Sequence, residues 1–256
     1  MKQRLVLIVA AAFLLGGCHK IKTQMVEYKD GATTLEGYLA YDESLKTPRP
    51  GILVVHEWNG LGKYVMGRAD QLAKLGYVAF APDIYGKGVR PAGFEACMAE
   101  SNKYKNNRAL MRRRAKAGLE VLRGSDRVDP HSLAAIGYCF GGTVALELAR
   151  SGAPLDGVIS FHGGLDTPNL KDAKKIKGRV LVLQGGADDY TLKQVPVIDK
   201  EMKAAKVDYK MVIYPGAKHG FTNPENKDLK SGVFYDAAAD KGSWEEMKKF
   251  FGEIFK

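Results

Sequence analysis

The sequence predicts an α/β fold in which a mostly parallel central sheet is flanked by helices on both faces. Short apolar runs alternate with helical segments through short linkers, the pattern of strands joined by crossover helices. The run 51–55 is continuously apolar and rich in β-branched residues, which is typical of a strand buried on both faces. A hydrophobic content of 45% in 256 residues is enough for one domain with a large core.

Each element follows from its local pattern. Apolar runs predict strands at 26–28, 35–40, 51–55, 77–81, 132–136, 157–161, 179–183 and 209–214. The first two flank Asp30-Gly31 and are expected to pair antiparallel. Apolar residues at helical spacing predict helices at 64–75, 94–123, 141–150, 192–206 and around 244–251. The long segment 94–123 is expected to break near Asn102 or at Asn106-Asn107.

The amino terminus has the pattern of an export signal. Lys2 and Arg4 precede the eleven apolar residues 5–15, too short a run to span a bilayer but the right length for a signal-peptide core. Gly16-Gly17-Cys18 resembles the bacterial lipobox, in which Cys18 becomes the lipidated first residue. We therefore expect a lipoprotein signal peptide at 1–17, a tether at 18–25 and one domain at 26–256. Ordinary signal cleavage, with Cys18 uninvolved, is the alternative.

This reading places the protein on the periplasmic side, anchored to the membrane by its lipid. The formal net charge of +10 does not indicate a nucleic-acid partner, since aromatic residues are not interleaved with the basic clusters. The densest basic cluster, 108–116, is expected to be a solvated helix surface. We expect a monomer. If Cys18 is lipidated, Cys97 and Cys139 remain, either as one disulfide or as thiols kept for chemistry.

One motif indicates a nucleophile. Gly137-Tyr138-Cys139-Phe140-Gly141 follows a predicted strand and precedes a predicted helix, so it matches the G-x-S-x-G nucleophile elbow with cysteine in place of serine. A helix amino terminus favours the thiolate form of a cysteine placed there. The pattern predicts Cys139 as the nucleophile and the Phe140 N–H as an oxyanion donor. A buried structural cysteine in a tight turn is the alternative.

The order of residues after the elbow selects a base. In folds with this turn the chain order is nucleophile, acid, histidine. His162 comes directly after the strand 157–161, before any candidate acid. His219 lies in a loop just past the last apolar strand, so His219 is the predicted general base.

Two aspartates compete for the role of the acid that orients this histidine. Asp188 and Asp189 both follow the strand 179–183. Asp188 is preferred because it keeps a Gly-x-x-Asp spacing from Gly185, although Gly186 gives Asp189 the same spacing.

The first buried strand ends in His56-Glu57-Trp58-Asn59-Gly60, where this fold takes its second oxyanion donor. The Trp58 N–H is the predicted donor. The Glu57 carboxyl is expected near Cys139, and two acidic groups in one dry pocket shift each other's pKa.

Six stretches together resemble the dienelactone hydrolase family of the α/β-hydrolase superfamily. They are His56-Glu57-Trp58-x-Gly60, Pro82-Asp83-Ile84-Tyr85-Gly86, Gly137-Tyr138-Cys139-Phe140-Gly141-Gly142, Ser160-Phe161-His162-Gly163, Gly185-Gly186-Ala187-Asp188 and His219-Gly220-Phe221-Thr222-Asn223-Pro224. The resemblance implies the α/β-hydrolase fold and a triad of Cys139, Asp188 and His219. It also implies that Glu57 pairs with Cys139 in the resting enzyme and hands over when substrate binds.

The implied activity is hydrolysis of a small-molecule ester or lactone, of the carboxymethylenebutenolidase type, through an acyl-thioester and without metal or other cofactor. Classical members of the family are cytosolic and hold a substrate carboxylate with arginines. Here Tyr85, Lys87 and Arg90 are the candidates for substrate binding, and no arginine follows His219.

Two other functions compete with this one. A non-catalytic lipoprotein could use the same pocket to bind a ligand or partner. A metal-dependent hydrolase could use His56, Glu57, His162 and His219, although the sequence has no H-E-x-x-H spacing.

Overall fold

A computed structural model describes residues 19–256 and contains one eight-stranded sheet in the order β1-β2-β4-β3-β5-β6-β7-β8. Its strands are β1 (Ile21–Asp30), β2 (Thr33–Asp42), β3 (Arg49–Val55), β4 (Val78–Ala81), β5 (Val128–Tyr138), β6 (Gly157–Phe161), β7 (Arg179–Gly185) and β8 (Tyr209–Tyr214). Strands β3 to β8 run parallel, whereas β1 and β2 pair antiparallel with each other and β2 pairs antiparallel with β4. The predicted α/β fold with a mostly parallel sheet is confirmed.

Helices cover both faces of the sheet. They are α1 (Lys63–Lys74), α2 (Phe94–Lys105), α3 (Arg108–Arg123), α4 (Phe140–Arg150), α5 (Val195–Ala205) and α6 (Ala237–Ile254). Successive residues of β3 point to opposite faces. Ile52 and Val54 pack in a core with α1 and α6, while Leu53 and Val55 pack in a second core with α2 to α5. This double burial explains why the run 51–55 is continuously apolar.

The break in the long helical segment lies at Asn106-Asn107, the second of the two predicted positions. The Asn107 side chain accepts a hydrogen bond from the Leu110 N–H at 3.0 Å and caps α3.

The sheet begins earlier than the sequence predicts. Residues 21–25 were expected to be tether but belong to β1, in which Ile21 pairs with Asp42 and Asp30 pairs with Thr33. The prediction is wrong because 22–25 are exposed on an edge strand, where apolar alternation is weak. The predicted signal peptide and the Cys18 lipidation site lie outside the described residues. No helix within 19–256 is long and apolar enough to cross a membrane.

Two further features were not predicted. A small hairpin of β9 (Lys227–Asp228) and β10 (Val233–Phe234) lies beside the loop of His219, where the Phe234 N–H donates to the His219 carbonyl at 3.0 Å. A 3₁₀ turn spans Leu170–Lys175. Of the two readings left open for Cys97 and Cys139, the structure has both as free thiols.

Candidate active site

Cys139 sits at the sharp turn between β5 and α4 with a φ of 54°, a left-handed conformation that is costly for a residue with a Cβ. The flanking glycines make this turn sterically possible. A Cβ on Gly137 would lie 2.0 Å from the Gly141 carbonyl oxygen, and a Cβ on Gly141 would lie 2.3 Å from that of Val55. The glycine spacing of the motif is therefore set by backbone contact between β5, α4 and β3.

The predicted nucleophile, base and acid are in contact. The His219 Nε2 lies 3.1 Å from the Cys139 Sγ, and its Nδ1 lies 2.8 Å from the Asp188 Oδ2. A carboxylate beside Nδ1 favours the tautomer that carries its proton there, which leaves Nε2 free to accept the thiol proton. Three loops at the carboxyl ends of β5, β7 and β8 supply these side chains.

Of the two candidate acids, Asp188 is the one that reaches the histidine. It is buried and also accepts hydrogen bonds from the Gln184 side chain at 3.1 Å and the Thr191 hydroxyl at 2.7 Å. The Tyr190 N–H donates to its other oxygen at 3.0 Å. Asp189 is exposed. Five hydrogen bonds, counting those from His219 and from the Thr191 N–H, hold the Asp188 carboxylate in one orientation.

The contacts of His219 with Cys139 and Asp188 shift the pKa values of both His219 and Asp188. Burial lowers the pKa of His219, but the Cys139 sulfur and the Asp188 carboxylate outweigh burial and raise it well above its usual value. Burial raises the pKa of Asp188, but hydrogen bonds from His219 and Thr191 outweigh it and lower the pKa overall. The arrangement therefore favours the protonated, imidazolium form of His219.

Glu57 does not pair with Cys139 in this structure, contrary to the expectation from the resemblance. Its Oε2 accepts from the Asn223 side chain at 2.6 Å, and the thiol sulfur contacts His219 instead. Burial raises the pKa of Glu57, opposed by the Asn223 hydrogen bond and the charge of His219. The net shift is toward the protonated form of the carboxyl, because burial outweighs the two opposing contributions.

The two predicted oxyanion donors are unoccupied by other groups. Within residues 19–256, the N–H groups of Trp58 and Phe140 donate to no loop, turn or side-chain acceptor. The loop that carries Trp58 is fixed from behind: the Tyr85 hydroxyl donates to the Trp58 carbonyl at 2.9 Å, and the His56 ring bridges the Glu57 carbonyl at 2.6 Å and the Ile84 N–H at 3.2 Å. Both donors are thus free to face a developing oxyanion.

Sequence reasoning missed a buried network behind the nucleophile. The Cys139 N–H donates to the His162 Nδ1 at 3.2 Å, and the His162 Nε2 contacts the Thr222 hydroxyl at 2.7 Å. That hydroxyl also contacts the Tyr64 hydroxyl at 2.6 Å, and Arg68 donates to the Thr222 carbonyl at 2.7 Å. The one available signal was His162 in a motif of the resemblance, directly after a strand.

The structure does not direct the predicted substrate-binding cations at the thiol. Lys87 forms an exposed ion pair with Glu27. Arg90 forms an ion pair with Glu36 at 3.0 Å and lies 3.6 Å from an Asp83 oxygen. Each cation is already neutralised, because charges on neighbouring strands and loops pair with it in ways the linear sequence does not reveal.

The histidines and acids of the site do not form a metal centre. In the part of the chain that the structure describes, no three His, Cys, Asp or Glu side chains are grouped so that they could hold a metal ion. The His56 and His162 rings are engaged in the hydrogen bonds described above. A cleft of about 700 Å³ lies among Leu155, Lys177 and Arg179, at the end of the sheet where β6 and β7 begin. It contains none of the candidate site residues.

Known proteins are similar to this chain in sequence and in fold. The model of the dienelactone hydrolase family matches residues 35–255. A putative carboxymethylenebutenolidase of Saccharolobus solfataricus is 26% identical over 262 residues, which cover 90% of this chain and 98% of the relative. A dienelactone hydrolase-like promiscuous phosphotriesterase from metagenomic libraries is 37% identical, with a TM-score of 0.88 over 91% of this chain and 98% of that one. A putative dienelactone hydrolase from Klebsiella pneumoniae, 20% identical, shares the fold with a TM-score of 0.79 over 91% of this chain and 99% of that one.

Proposed function

The chain belongs to the dienelactone hydrolase family, and from this premise we propose that it hydrolyses carboxylic esters or lactones with Cys139 as the nucleophile. One observation carries the proposal: the unbroken chain of contacts from the Cys139 Sγ through the His219 ring to the Asp188 carboxylate, at 3.1 and 2.8 Å. These distances are within the reach required for proton transfer between a nucleophile, its base and an orienting acid.

The acylation half of the reaction begins at the thiol. The His219 Nε2 accepts the thiol proton, and the Cys139 sulfur attacks the carbonyl carbon while the carbonyl π electrons move to oxygen. The N–H groups of Phe140 and Trp58 stabilise that oxyanion. When the C=O bond re-forms, the ester C–O bond breaks, and the departing alkoxide takes the proton from His219. The product of this half is an acyl-thioester on Cys139.

Water completes the cycle by the same route. His219 removes a proton from a water molecule, the resulting hydroxide adds to the thioester carbonyl, and the two N–H donors again hold the oxyanion. Collapse breaks the C–S bond, releases the carboxylic acid and returns the proton to the thiolate. Asp188 keeps the His219 ring oriented and stabilises its positive charge in both halves.

A neutral Glu57 fits this cycle. The site must hold a thiolate and the Asp188 carboxylate around one imidazolium, so a third negative charge would oppose the thiolate. A protonated Glu57, held by Asn223, spares the site that charge.

The test is turnover of p-nitrophenyl acetate by the purified protein, with and without iodoacetamide. We expect Cys139→Ala to lower kcat/KM by about ten-thousand-fold, since removal of the nucleophile from a triad has effects of that order. Cys97→Ala is the matched control, because Cys97 is the other free thiol and has no role in the proposed mechanism. Mass spectrometry of the acid-quenched enzyme should find the acyl group on Cys139. Activity that survives in Cys139→Ala would overturn the mechanism, and no activity in the wild type would favour a ligand-binding lipoprotein.

Phosphotriester hydrolysis is a second candidate. The relative that is 37% identical over 91% of this chain is named a promiscuous phosphotriesterase. Attack of a thiolate on a phosphotriester also places negative charge on an oxygen that two N–H donors can hold. Release of p-nitrophenol from paraoxon, lost in Cys139→Ala, is the expected result if this activity is present.

A further inference from the structure

Apolar side chains of α2 lie beside the loop that carries Trp58. The Trp58 ring packs edge-on against the Phe94 ring, with a centroid distance of 5.4 Å. Phe94 is 61% exposed, and Met98, one turn further along α2, is 40% exposed. These three side chains form an apolar wall, the Trp58 wall, next to the oxyanion donor of Trp58.

A second apolar surface lies on the other side of the histidine. The Tyr190 ring packs edge-on against the His219 ring at 5.5 Å and is 52% exposed. Its hydroxyl donates to the Ser231 carbonyl at 2.9 Å, which fixes the ring. Single exposed apolar side chains are ordinary on a protein surface, but a group of them around a nucleophile is the composition of a ligand site.

The charges around the nucleophile oppose an anionic substrate. The Arg90 guanidinium is committed to Glu36, to Asp83 and to the Val89 carbonyl, and Lys87 is committed to Glu27. A substrate carboxylate that recruits Arg90 would have to compete with Glu36 and Asp83. One that recruits no cation would lose its water without a counter-ion, which costs free energy.

We propose that the site takes an uncharged ester whose aromatic or alkyl group lies on the Trp58 wall, and that it discriminates against esters carrying a carboxylate. This inference rests on the proposed function and names the substrate class of the same site. It departs from the carboxylated lactones of the classical family members, because the cations that would hold such a group are paired within the protein.

A matched pair of substrates tests the charge. We expect the protein to hydrolyse methyl 3-acetoxybenzoate with a kcat/KM at least about tenfold above that for 3-acetoxybenzoate, which differs by the free carboxylate. Equal turnover, or a preference for the carboxylate, would overturn the inference while leaving the proposed hydrolase intact. If neither ester nor p-nitrophenyl acetate is turned over, the proposed function itself has failed.

A pair of variants tests the wall. Phe94→Ala should raise the KM for methyl 3-acetoxybenzoate by about tenfold, the scale of a lost aromatic contact, and leave kcat within about twofold. Leu75→Ala is the control. Leu75 is 42% exposed, but it is the C-cap of α1, three residues before β4 begins at the other end of the sheet, so the KM of this variant should stay at the wild-type value. An unchanged KM in Phe94→Ala would place the aromatic group elsewhere and overturn the inference.

Discussion

The nucleophile turn (137–142) and the His219 loop (215–226) meet at one sulfur–nitrogen contact but are held in place by different means. The turn is fixed by close backbone contacts: a Cβ on Gly137 would clash with the Gly141 carbonyl, and a Cβ on Gly141 would clash with the Val55 carbonyl. The loop is fixed by side chains from distant segments, with Arg68 bound to the Thr222 carbonyl and Glu57 bound to Asn223. Substitutions in the two regions should therefore have different effects. Those in the turn should lower the stability of the fold, and those in or around the loop should lower the catalytic rate.

The largest effect on kcat is expected at the contact between His219 of the loop and the Asp188 carboxylate. Asp188→Asn should lower kcat by about three to four orders of magnitude, because an amide in this place favours the wrong tautomer of His219. Asp189→Asn should stay within about twofold of the wild type, since Asp189 is exposed. Steady-state kinetics with p-nitrophenyl acetate measure both. Equal losses in the two variants would mean that the contact with His219 does not distinguish them in function.

The turn should respond in stability first. Gly141→Ala should reduce the free energy of unfolding by about 3 kcal/mol, because the new Cβ would lie 2.3 Å from the Val55 carbonyl oxygen and the backbone must move. Gly67→Ala in α1 is the matched control. Its Cβ meets nothing within 4 Å, so the change should raise stability by about 0.5–1 kcal/mol through helix propensity. Urea denaturation checks both, and a Gly141→Ala variant as stable as wild type would contradict the account of the turn.

Arg68 contacts both regions, since its guanidinium lies 5.6 Å from the centroid of the Tyr138 ring in the turn and binds Thr222 in the loop. It holds the Thr222 carbonyl at 2.7 Å and the Asp240 carboxylate at 2.5 Å. Arg68→Gln should lower kcat about tenfold with little change in KM, because the loop loses its clamp while the substrate surface stays intact. Arg68→Lys keeps the charge beside Asp240 and should recover part of kcat. A loss of stability in Arg68→Gln with kcat unchanged would reduce Arg68 to a purely structural role.

The smallest effect concerns pH. His219 has a raised pKa in the folded protein, so its contribution to stability is fully present below its unfolded value of about 6.5 and is lost as pH rises through the folded pKa. The difference in unfolding free energy between the wild type and His219→Gln should therefore shrink as the pH rises above about 6.5. In a Cys139→Ser background the sulfur no longer raises the pKa of His219, so the contribution should be smaller and its loss should be complete at a lower pH. A difference that grows with pH would contradict the sign.

The contrast between turn and loop also explains what the sequence could predict. The turn needs glycines at fixed positions within a few residues, so the motif is visible, and the parallel order of strands then places Asp188 and His219 at the same edge. Strands buried on both faces have equally clear patterns, and the predicted span 157–161 agrees with β6. The predicted span 209–214 also agrees with β8, although this edge strand is only partly buried.

Contacts between distant segments could not be predicted in this way. Arg68 and Thr222 are 154 residues apart, and nothing in the local pattern of either one indicates the other. The same limit applies to the pairs that neutralise Lys87 and Arg90, and to the Asn223 amide that holds Glu57 away from Cys139. The hairpin of β9 and β10 is too short to produce a detectable alternation.

The direction of β1 has a consequence for how the molecule is presented to its surroundings. β1 is antiparallel to β2, and β2 is antiparallel to β4. Ile21 and its partner Asp42 therefore lie at the end of the sheet where the parallel strands begin. The His19 ring contacts the Asp42 carboxylate at 2.7 Å and fixes the chain there. The catalytic mouth opens about 30 Å away, at the other end of a ten-residue strand. A lipid at the predicted position ahead of His19 would therefore be attached at the end of the sheet opposite Cys139 and His219.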